Sequence, residues 1–549
     1  MTIKEFIRKK VLGMIGLAKS DGSETERLTF INDAERITKT RIKEYDIWYY
    51  GDSDELLNFY TRENLINYNF EPWYSRNKRA YFWTVSSTES DIKRTHSGQP
   101  RNIVDTLVTI VKWPTVRVDH EAMNESLKEI IKKSRIKQMF KNQQLPLTLV
   151  EGWGCYKISW DKDMSDYPFV SYYRAENVDF VYKNNCITGV VFKDYYTDGE
   201  NRRYLVIETR SLKYNKEKDQ RYTCIEKEIF RVGQNNDYGT KLEPDDIKNI
   251  PELSGVDLDT VIIDNYEGLL AVPCILFENT ENVGGYGKSI FTGKVDLFDD
   301  LDQCLSQSAN AVRYSTPIEY YNSDFLERNP KTGMPLQPKR YNRAYSIYNG
   351  QKDADGVSTS GEPVHVTQPS VDFSIYSKEA VAILLQIING ILSPATLGID
   401  IAKKDNAEAQ REKEKVTIFT RNAIIDSEID ILEDLFNQLL CAYELMHNGK
   451  ISCDNYKMTI KFSEFADDSY ENKLEKLGQA FDNELISEEM YIDKLYGDSL
   501  SEKEREKELK WLKENHTKPK VEGLKTAMIG ENAPQPNEGT GDIFGDEEL

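Results

Sequence analysis

Apolar residues recur with a helical period over the first part of the chain. Between residues 20 and 120, Ile42, Tyr45 and Trp48 lie three residues apart, and Gly51 ends that run. Spacings of three and four residues place side chains on one face of a helix, and glycine commonly follows a helix end. The pattern therefore predicts that this part of the chain is mostly helical.

Short runs of β-branched and aromatic residues replace that period between about 145 and 280. Asp, Asn and Gly separate the runs, and this punctuation is typical of antiparallel strands joined by turns. The runs are GCYKISW, FVSYYR, VDFVY, ITGVVFKDYY, RYLVIETR, YTCIEKEIFRVG and AVPCILFEN. The sequence therefore predicts an α+β fold with antiparallel sheet in this region.

Two apolar helices flank a polar insert in the second half of the chain. The first is predicted over 294–315, and three aspartates in its first half, Asp299, Asp300 and Asp302, are interpreted as compensating the helix dipole. The second is predicted over 374–392, where isoleucines and leucines cover more than one face. A helix that is apolar around most of its circumference needs neighbours on several sides.

The insert between these helices, 316–371, mostly has the composition of loops. TPIEYY and RAYSIYN combine aromatic and apolar residues and are predicted strands. The stretches RNPKTGMPLQPKR and GQKDADGVSTSGEP are instead rich in Gly, Pro, Asp and Ser, which favour turns. We therefore expect two strands within an otherwise irregular insert.

The stretch ILSPATLGID, residues 391–400, separates the second apolar helix from a polar segment. Pro394 is expected to prevent the preceding helix from continuing, and Gly398 allows the chain to turn back. A third helix is predicted from about 405 to 447, and at ~1.5 Å per residue it is roughly 60 Å long. In a monomer, the second and third helices are both expected to lack enough partners.

The C-terminal part combines one strand, a helical block and a polar tail. YKMTIKF is a predicted strand, and 470–515 is predicted to be helical, with Ser487 as an N-cap and with Ser501 and Glu504 as a capping box. The last residues, 516–549, are rich in Lys, Pro, Gly, Asn and acidic residues. That composition is typical of a disordered tail.

Composition limits the classes of function that the chain can have. Hydrophobic residues make up 39% and charged residues 30%, which is typical of a soluble globular protein, and the formal net charge is −21. This charge disfavours tight DNA binding and a role at a membrane surface, because proteins that grip phosphates carry basic faces. The N-terminus lacks the features of a signal peptide, and no apolar run is long enough to span a membrane.

The sequence motifs of catalysis and cofactor binding are incomplete. GGYGKS at 284–289 has part of a phosphate-binding loop, but Asn282 stands where that motif requires its first glycine. The five histidines follow no metal-ligand spacing, and DKDMSDYPF lacks the glycine and the closing glutamate of a calcium loop. The seven cysteines are odd in number and widely spaced, which favours reduced thiols. We expect no cofactor, no metal and no catalytic residue, so an enzyme is disfavoured.

Four segments together resemble one known protein family. They are WYYGDSDELLNFY (48–60), RTHSGQPRNIVDTLVTIV (94–111), ILSPATLGID (391–400) and DNAEAQREKEK (405–415). In this order they resemble segments of the portal proteins of tailed double-stranded DNA bacteriophages, and the siphophage-like branch in particular. The resemblance covers roughly residues 30–500 and implies a virion protein that forms a ring of about twelve identical subunits at one capsid vertex.

The resemblance also implies a division of the chain into named parts. These are a wing at 1–290, a first stem helix at 291–314, a small α/β clip at 315–373, a second stem helix at 374–392, a tunnel loop at 393–404, a long wing helix and strand at 405–468, a crown at 469–515 and a disordered acidic tail at 516–549. The ring is expected to be a channel for DNA entry during packaging and for DNA exit during ejection.

The tunnel loop is expected to border that DNA channel. Its candidate residues are Ser393, Pro394, Thr396, Gly398, Lys403 and Lys404. The two lysines either touch DNA phosphates weakly or are solvated residues that precede a helix, and both interpretations remain open.

The clip is expected to bind the terminase large subunit, which is the packaging motor, and later a head-completion adaptor protein. Its candidate docking residues are Lys331, Lys339, Arg340 and Arg343, which either attract acidic faces of these partners or only keep the loop soluble. The major capsid protein and its scaffold are further implied partners. Another virion connector subunit and, less favoured, a cytosolic enzyme are the alternative functions, and the size of the purified assembly distinguishes them.

Overall fold

The fold is described from a computed structural model. The described residues are 33–70, 81–84, 92–184, 186–215, 219–232, 239–247, 250–253, 255–264, 266–278, 286–322, 326–334, 336, 343–347, 364–368, 370–399, 413–449, 451, 455–463, 474, 477–481, 483, 485–496 and 502–515. Predictions that fall outside this part concern Asn282, Lys339, Arg340, Lys403, Lys404, Ser501, the segment 405–412 and the tail 516–549. The chain divides into two compact units, Met1–Ser463 and Glu464–Leu549.

Three helices begin the described part of the first unit. They are α1 (Asp33–Tyr50), α2 (Ser53–Phe70) and α3 (Gln99–Val111). Gly51 has a φ of 69° and its amide donates to Ile47 O at 2.9 Å, so this glycine ends α1 as predicted. Trp48 is fully buried, and its indole donates to Tyr60 OH at 2.7 Å, which joins α1 to α2.

Short elements then lead from these helices into the sheet region. They are β1 (Thr115–Val118), α4 (Glu121–Lys133), α5 (Ile136–Met139), a π-helical turn (Phe140–Gln144) and α6 (Leu145–Glu151). Buried apolar side chains from all of these helices belong to one large core. Burial of this kind is the main source of stability for helices that are marginal alone.

Two antiparallel sheets form the middle of the first unit, as the sequence predicts. The smaller sheet has the strand order β3-β2-β9, and the larger sheet has the order β4-β5-β6-β7-β8. The strands are β2 (Trp153–Ser159), β3 (Phe169–Arg174), β4 (Val178–Lys183), β5 (Cys186–Thr197), β6 (Arg203–Asn215), β7 (Gln220–Arg231), β8 (Val261–Asp264) and β9 (Ala271–Ile275). A short helix, α7 (Pro244–Ile247), lies between β7 and β8.

The two predicted apolar helices are present as an antiparallel pair, called here the helical hairpin. They are α8 (Val295–Tyr314) and α9 (Phe373–Ile388). At one end of the pair, Lys294 Nζ donates to Gln386 O at 2.9 Å, and further along Cys304 Sγ lies 3.5 Å from Tyr376 O. The start of α8 therefore lies beside the end of α9, and the insert joins the two helices at their other ends.

The described residues of the insert form a three-stranded sheet, called here the insert sheet. Its central strand β10 (Ile318–Asn322) pairs in parallel with β11 (Arg343–Ile347) and antiparallel with β12 (Val364–Thr367). Strand β10 overlaps TPIEYY and ends one residue after it, and β11 lies within RAYSIYN, which confirms both predicted strands. The sequence pattern does not predict β12.

The longest described helix is α10 (Lys415–Asn448), followed by β13 (Met458–Lys461), which pairs with β1. With 34 residues, α10 is about 51 Å long at ~1.5 Å per residue. Its side chains Leu432, Leu435 and Phe436 are fully buried, and α3, α4, β2, β9 and β13 of the same chain contact it. The expectation that this long helix lacks partners within one copy is therefore wrong.

The second unit contains two described helices that pack on each other, α11 (Glu488–Tyr496) and α12 (Glu502–Asn515). Ser487 Oγ accepts a hydrogen bond from the amide of Met490 at 3.2 Å, which confirms the predicted N-cap of α11. In neither unit does a described helix combine the length and the apolar character that crossing a bilayer requires.

Candidate functional site

The segment after α9, residues 389–399, is called here the connecting loop and includes most of the predicted tunnel-loop residues. Helix α9 ends at Ile388, earlier than the predicted end at 392 and well before Pro394. Gly390 has a φ of 78°, and the amides of Ile391 and Leu392 both donate to Ile388 O at 2.9 Å. A glycine in the left-handed conformation therefore ends this helix, and the prediction that Pro394 does so is wrong.

A pair of hydroxyl groups attaches the connecting loop to the start of α10. The amide of Ser393 donates to Thr417 Oγ1 at 2.8 Å, and Thr396 Oγ1 lies 2.7 Å from the same oxygen. The amide of Thr417 in turn donates to Ser393 Oγ at 3.4 Å. Thr417 is fully buried, so these bonds are shielded from competing water and fix the loop against the helix.

The predicted tunnel-loop residues differ in their exposure. Ser393 is 1% exposed, Pro394 and Thr396 are half-buried, and Gly398 is exposed with a φ of 70°. The amide of Gly398 donates to Ala395 O at 3.1 Å, so the loop closes a tight turn at this glycine. Ser393 and Thr396 therefore hold the loop in place, whereas Gly398 is exposed at its turn.

The start of α10 has one attached face and one open face. Arg421 Nε donates to Ile110 O of α3 at 2.9 Å, and the same guanidinium contacts Ser463 O. Thr417 and Arg421 share this attached face, because four residues make about one helical turn. Phe419 follows Thr417 by two residues, or about 200° around the helix. It therefore lies on the opposite face, where its side chain is 61% exposed.

The helical hairpin also has one packed and one open face. On α9, Ile383, Ile387 and Ile388 are buried against the rest of the chain. On the same helix, Val381 is 46% exposed and Leu385, one turn later on the same face, is exposed as well, while Ile375 near the start of the helix is 64% exposed. The predicted apolar character on more than one face of this helix is confirmed. The face of Val381 and Leu385, called here the outer face of α9, is only partly covered by the described residues.

A groove of about 590 Å³ opens between α3, α9 and the connecting loop, and it is called here the α3 groove. Its apolar lining comes from four residues, Ile110, Leu384, Leu397 and Ile399. Asn102 and Asp105, both exposed residues of α3, form part of its polar rim. Sequence periodicity does not reveal this groove, because its walls are distant along the chain.

The aspartates of α8 have another role than the predicted one. Asp302 is fully buried, accepts hydrogen bonds from Trp83 Nε1 at 3.1 Å and from the Ser97 amide at 2.8 Å, and lies 2.7 Å from His96 Nδ1. Asp299 accepts from the Phe82 amide at 2.8 Å, and burial raises its pKa to about 6. Compensation of the helix dipole is therefore not their main role, because both carboxylates bind segments that precede α3.

The predicted docking residues of the insert are only partly described. Lys331 is exposed, Arg343 is the first residue of β11, and Lys339 and Arg340 lie outside the described residues. Three aromatic residues in register, Tyr345, Tyr320 and His365, form a row across the insert sheet, with ring centroids 6.0 and 6.4 Å apart. Such cross-strand pairs stabilise a small sheet.

The glycine-rich segment GGYGKS is explained by packing in its described part. A Cβ atom on Gly287 would lie 1.9 Å from Gly152 O, so no larger residue fits there. The Lys288 amide donates to Phe277 O at 2.8 Å instead of pointing into an open phosphate cradle. Close backbone approach therefore accounts for Gly287, as an incomplete phosphate-binding motif suggests.

The described residues contain no cluster of three or more His, Cys, Asp or Glu side chains arranged to hold a metal ion. No model of a known protein family matches this chain, and a search among curated proteins gives no match.

Proposed function

We propose that this protein is a portal subunit of a tailed double-stranded DNA bacteriophage, and that about twelve copies close into a ring at one capsid vertex. The observation that carries the proposal is the open apolar face of α9. Val381 and Leu385 share this face, Ile375 is exposed near the start of the same helix, and Ile383 and Ile387 are buried against the rest of the chain. The order of the four portal-like segments along the chain supports the same assignment.

The exposed face has a measurable energetic consequence. Full burial of a side chain of this size stabilises an assembly by about 1.5–3 kcal/mol. Ile375, Val381 and Leu385 are already partly buried, so covering their exposed fractions contributes about 1 kcal/mol each. Copies of the same hairpin are the partners that a ring provides. A cyclic ring uses two different patches of each subunit, so every copy covers its neighbour in the same way.

In the proposed ring, the helical hairpin is the stem, the insert sheet belongs to the clip and the connecting loop belongs to the tunnel loop. The first 290 residues together with α10 form the wing, and the second unit contains the crown. DNA passes through the centre during packaging and ejection. A net charge of −21 per copy suits a channel in which DNA slides, because strong phosphate contacts would hold the duplex in place.

Lys403 and Lys404 are proposed to touch DNA phosphates from the tunnel loop. The double variant Lys403→Glu/Lys404→Glu should then change the packaging rate and the retention of packaged DNA, because it replaces weak attraction with repulsion. Packaging is measured as DNA protected from nuclease over time. Unchanged rate and retention would assign both lysines a merely solvating role.

The clip is proposed to bind the terminase large subunit first and a head-completion adaptor afterwards, while the wing contacts the major capsid protein and its scaffold. Basic side chains attract acidic partner faces and speed association. Arg340→Glu/Arg343→Glu should therefore slow motor binding, whereas Lys128→Glu on the exposed surface of α4 should not. Motor binding that survives the reversal at Arg340 and Arg343 would reject the basic patch as the docking site.

The ring itself is tested by size. Mass photometry of the purified protein should show a species of about 0.76 MDa, which corresponds to about twelve copies of 63.5 kDa, and electron micrographs should show a central channel. Val381→Ser/Leu385→Ser should give a folded monomer. Val261→Ser/Ile262→Ser, which changes two exposed residues of β8, is the matched control and should leave the ring intact.

A monomer at high concentration, with the outer face of α9 protected from solvent, would contradict the proposed function. Protection is measured by hydrogen exchange of the α9 amides together with labelling of a cysteine placed at Val381. If rings form but phage lacking the protein still package DNA, another virion connector becomes the better assignment.

A further inference from the structure

The outer face of α9 accounts for one open apolar surface, but the chain carries a second one at the start of α10. Phe419 is 61% exposed there, and Val416 and Ala423 lie next to it at three- and four-residue spacing. The three residues form one small exposed apolar patch, and contiguous patches of this kind mark interaction sites. Phe419, the largest of the three, is therefore a candidate contact residue.

The α3 groove is a mixed surface in the same unit, with four apolar and six polar residues in its lining. Ile110, Leu384 and Leu397 line it and are only partly covered by the chain itself. The groove is open to solvent and is large enough for an aromatic side chain, with its volume of about 590 Å³. Apolar lining with a polar rim is typical of binding grooves.

The groove and Phe419 lie on opposite sides of the start of α10. Thr396 lines the groove and contacts Thr417, and Ile110 lines the groove and contacts Arg421. Thr417 and Arg421 therefore mark the groove side of α10, and Phe419 points about 200° away from Thr417. Within one chain, Phe419 is thus directed away from the groove.

An exposed apolar residue on one face of α10 and a groove beside its opposite face are two different patches, as a head-to-tail contact between identical copies requires. Charge supports the same pairing. Lys415 is exposed one turn before Phe419, and Asp105, which lies 3.5 Å from Arg101 Nε of its own helix, is exposed on the rim of the groove. In a head-to-tail contact, the cation and the carboxylate approach each other.

We infer that Phe419 of each copy docks into the α3 groove of the neighbouring copy, with Lys415 beside the neighbour's Asp105. This inference rests on the proposed ring and names a contact within it. The connecting loop is then held by its own Thr417 on one side and by the neighbouring copy on the other. Ring closure and loop position are coupled in this arrangement.

Disulfide cross-linking tests the contact directly. The variant Phe419→Cys/Leu397→Cys, made with Cys186→Ser to remove an exposed native thiol, is oxidised and run on a denaturing gel without reductant. A ladder of covalent multimers is expected, because each copy offers one cysteine to each neighbour. A variant that carries only one of the two introduced cysteines, with Cys186→Ser, should give dimers at most. A cross-link within one chain, or no ladder from intact rings, would overturn the inference.

Assembly measurements supply an independent readout. Phe419→Ser should raise the protein concentration needed for half-assembly by roughly tenfold or more, which is the expected effect of losing one large buried side chain per contact. Ile262→Ser, at a residue with 58% exposure on β8, is the matched control and should have no effect. Asp105→Lys should weaken assembly, and Asp105→Lys/Lys415→Glu should restore it.

The outcomes separate this inference from the proposed function. If Phe419→Ser forms rings normally and Phe419→Cys/Leu397→Cys gives no cross-linked ladder, the docking of Phe419 is overturned. The portal proposal then still stands. A wild-type protein that forms no ring would overturn both. Loss of assembly with Phe419→Ser, together with the ladder and the charge-swap rescue, would support the docking.

Discussion

At the scale of single residues, Thr417 holds the connecting loop in place. Its hydroxyl meets both the Ser393 amide and Thr396 Oγ1, and all three groups lie in or next to the core. Thr417→Val keeps the shape of the side chain but leaves the Ser393 amide without its acceptor, so we expect a loss of about 1–3 kcal/mol in the free energy of unfolding. Hydrogen exchange at the Ser393 amide should accelerate in parallel.

The control for this prediction is Thr109→Val. The hydroxyl of Thr109 donates to Asp105 O within its own helix and is exposed, so its loss should change stability by no more than about 0.5 kcal/mol. Equal effects of the two variants would show that burial of the Thr417 hydroxyl does not matter.

Glu428 is a buried carboxyl group in the middle of α10. It is fully buried and accepts a hydrogen bond from Gln144 Nε2 at 2.7 Å, and burial raises its pKa from 4.5 to about 8. Because the folded state holds this proton more tightly than the unfolded state, its stabilising effect is complete below about pH 4.5. It is lost as the pH rises toward 8.

Glu428→Gln removes this titration and keeps an oxygen that can accept from Gln144. Between about pH 5 and pH 8, the unfolding free energy of the wild type should fall more steeply than that of the variant, by up to about 1.4 kcal/mol per pH unit. Urea midpoints at one fixed protein concentration measure both slopes. Asp430→Asn, at an exposed position of the same helix, should keep the wild-type slope.

The roles of single residues are the features that the sequence alone predicts least well. Gln144 and Glu428 are 284 residues apart, and Thr417 is 24 residues from Ser393, so no local pattern joins them. The end of α9 just before Gly390 can be predicted from sequence, because a glycine after an apolar helix is a common stop signal. Pro394 is the more conspicuous residue, which explains the incorrect boundary.

At the scale of elements, two carboxylates of α8 attach the helical hairpin to the segments that precede α3. Asp302→Ala removes the acceptor of the buried Trp83 indole and of the part-buried Ser97 amide. We expect a loss of roughly 3 kcal/mol or more in the free energy of unfolding. Asp300→Ala, at an exposed position two residues away, should cost less than about 0.5 kcal/mol. Urea midpoints of the two variants that differ by little would contradict this role.

Elements themselves were predicted well where the hydrophobic period is local. The helices α8, α9 and α10 and the strands of both antiparallel sheets except β8 lie in or near their predicted ranges, because periods of 3.6 and 2 residues are readable in short windows. The elements that pack against each helix or strand are predicted less well. The burial of α10 depends on α3, β2 and β9, which are distant in sequence, and β12 is short and exposed throughout.

At the scale of the whole molecule, the proposed ring makes the stability of each subunit depend on protein concentration. A subunit that is covered only in the ring is stabilised by its neighbours, so dilution weakens the folded state. The outer face of α9 and the exposed Phe419 are the surfaces that gain this cover. Thermal stability and protein concentration are therefore coupled for a ring and independent for a monomer.

We expect the thermal midpoint of the wild type to rise by a few degrees over a hundredfold increase in concentration, as linked association requires. Val381→Ser/Leu385→Ser should show a lower midpoint that does not change with concentration, since this variant remains monomeric. Differential scanning fluorimetry at one scan rate measures both, and mass photometry before each scan reports the oligomeric state. A wild-type midpoint that stays constant over this range, in samples where rings are present, would mean that the exposed faces contribute little to the stability of the subunit.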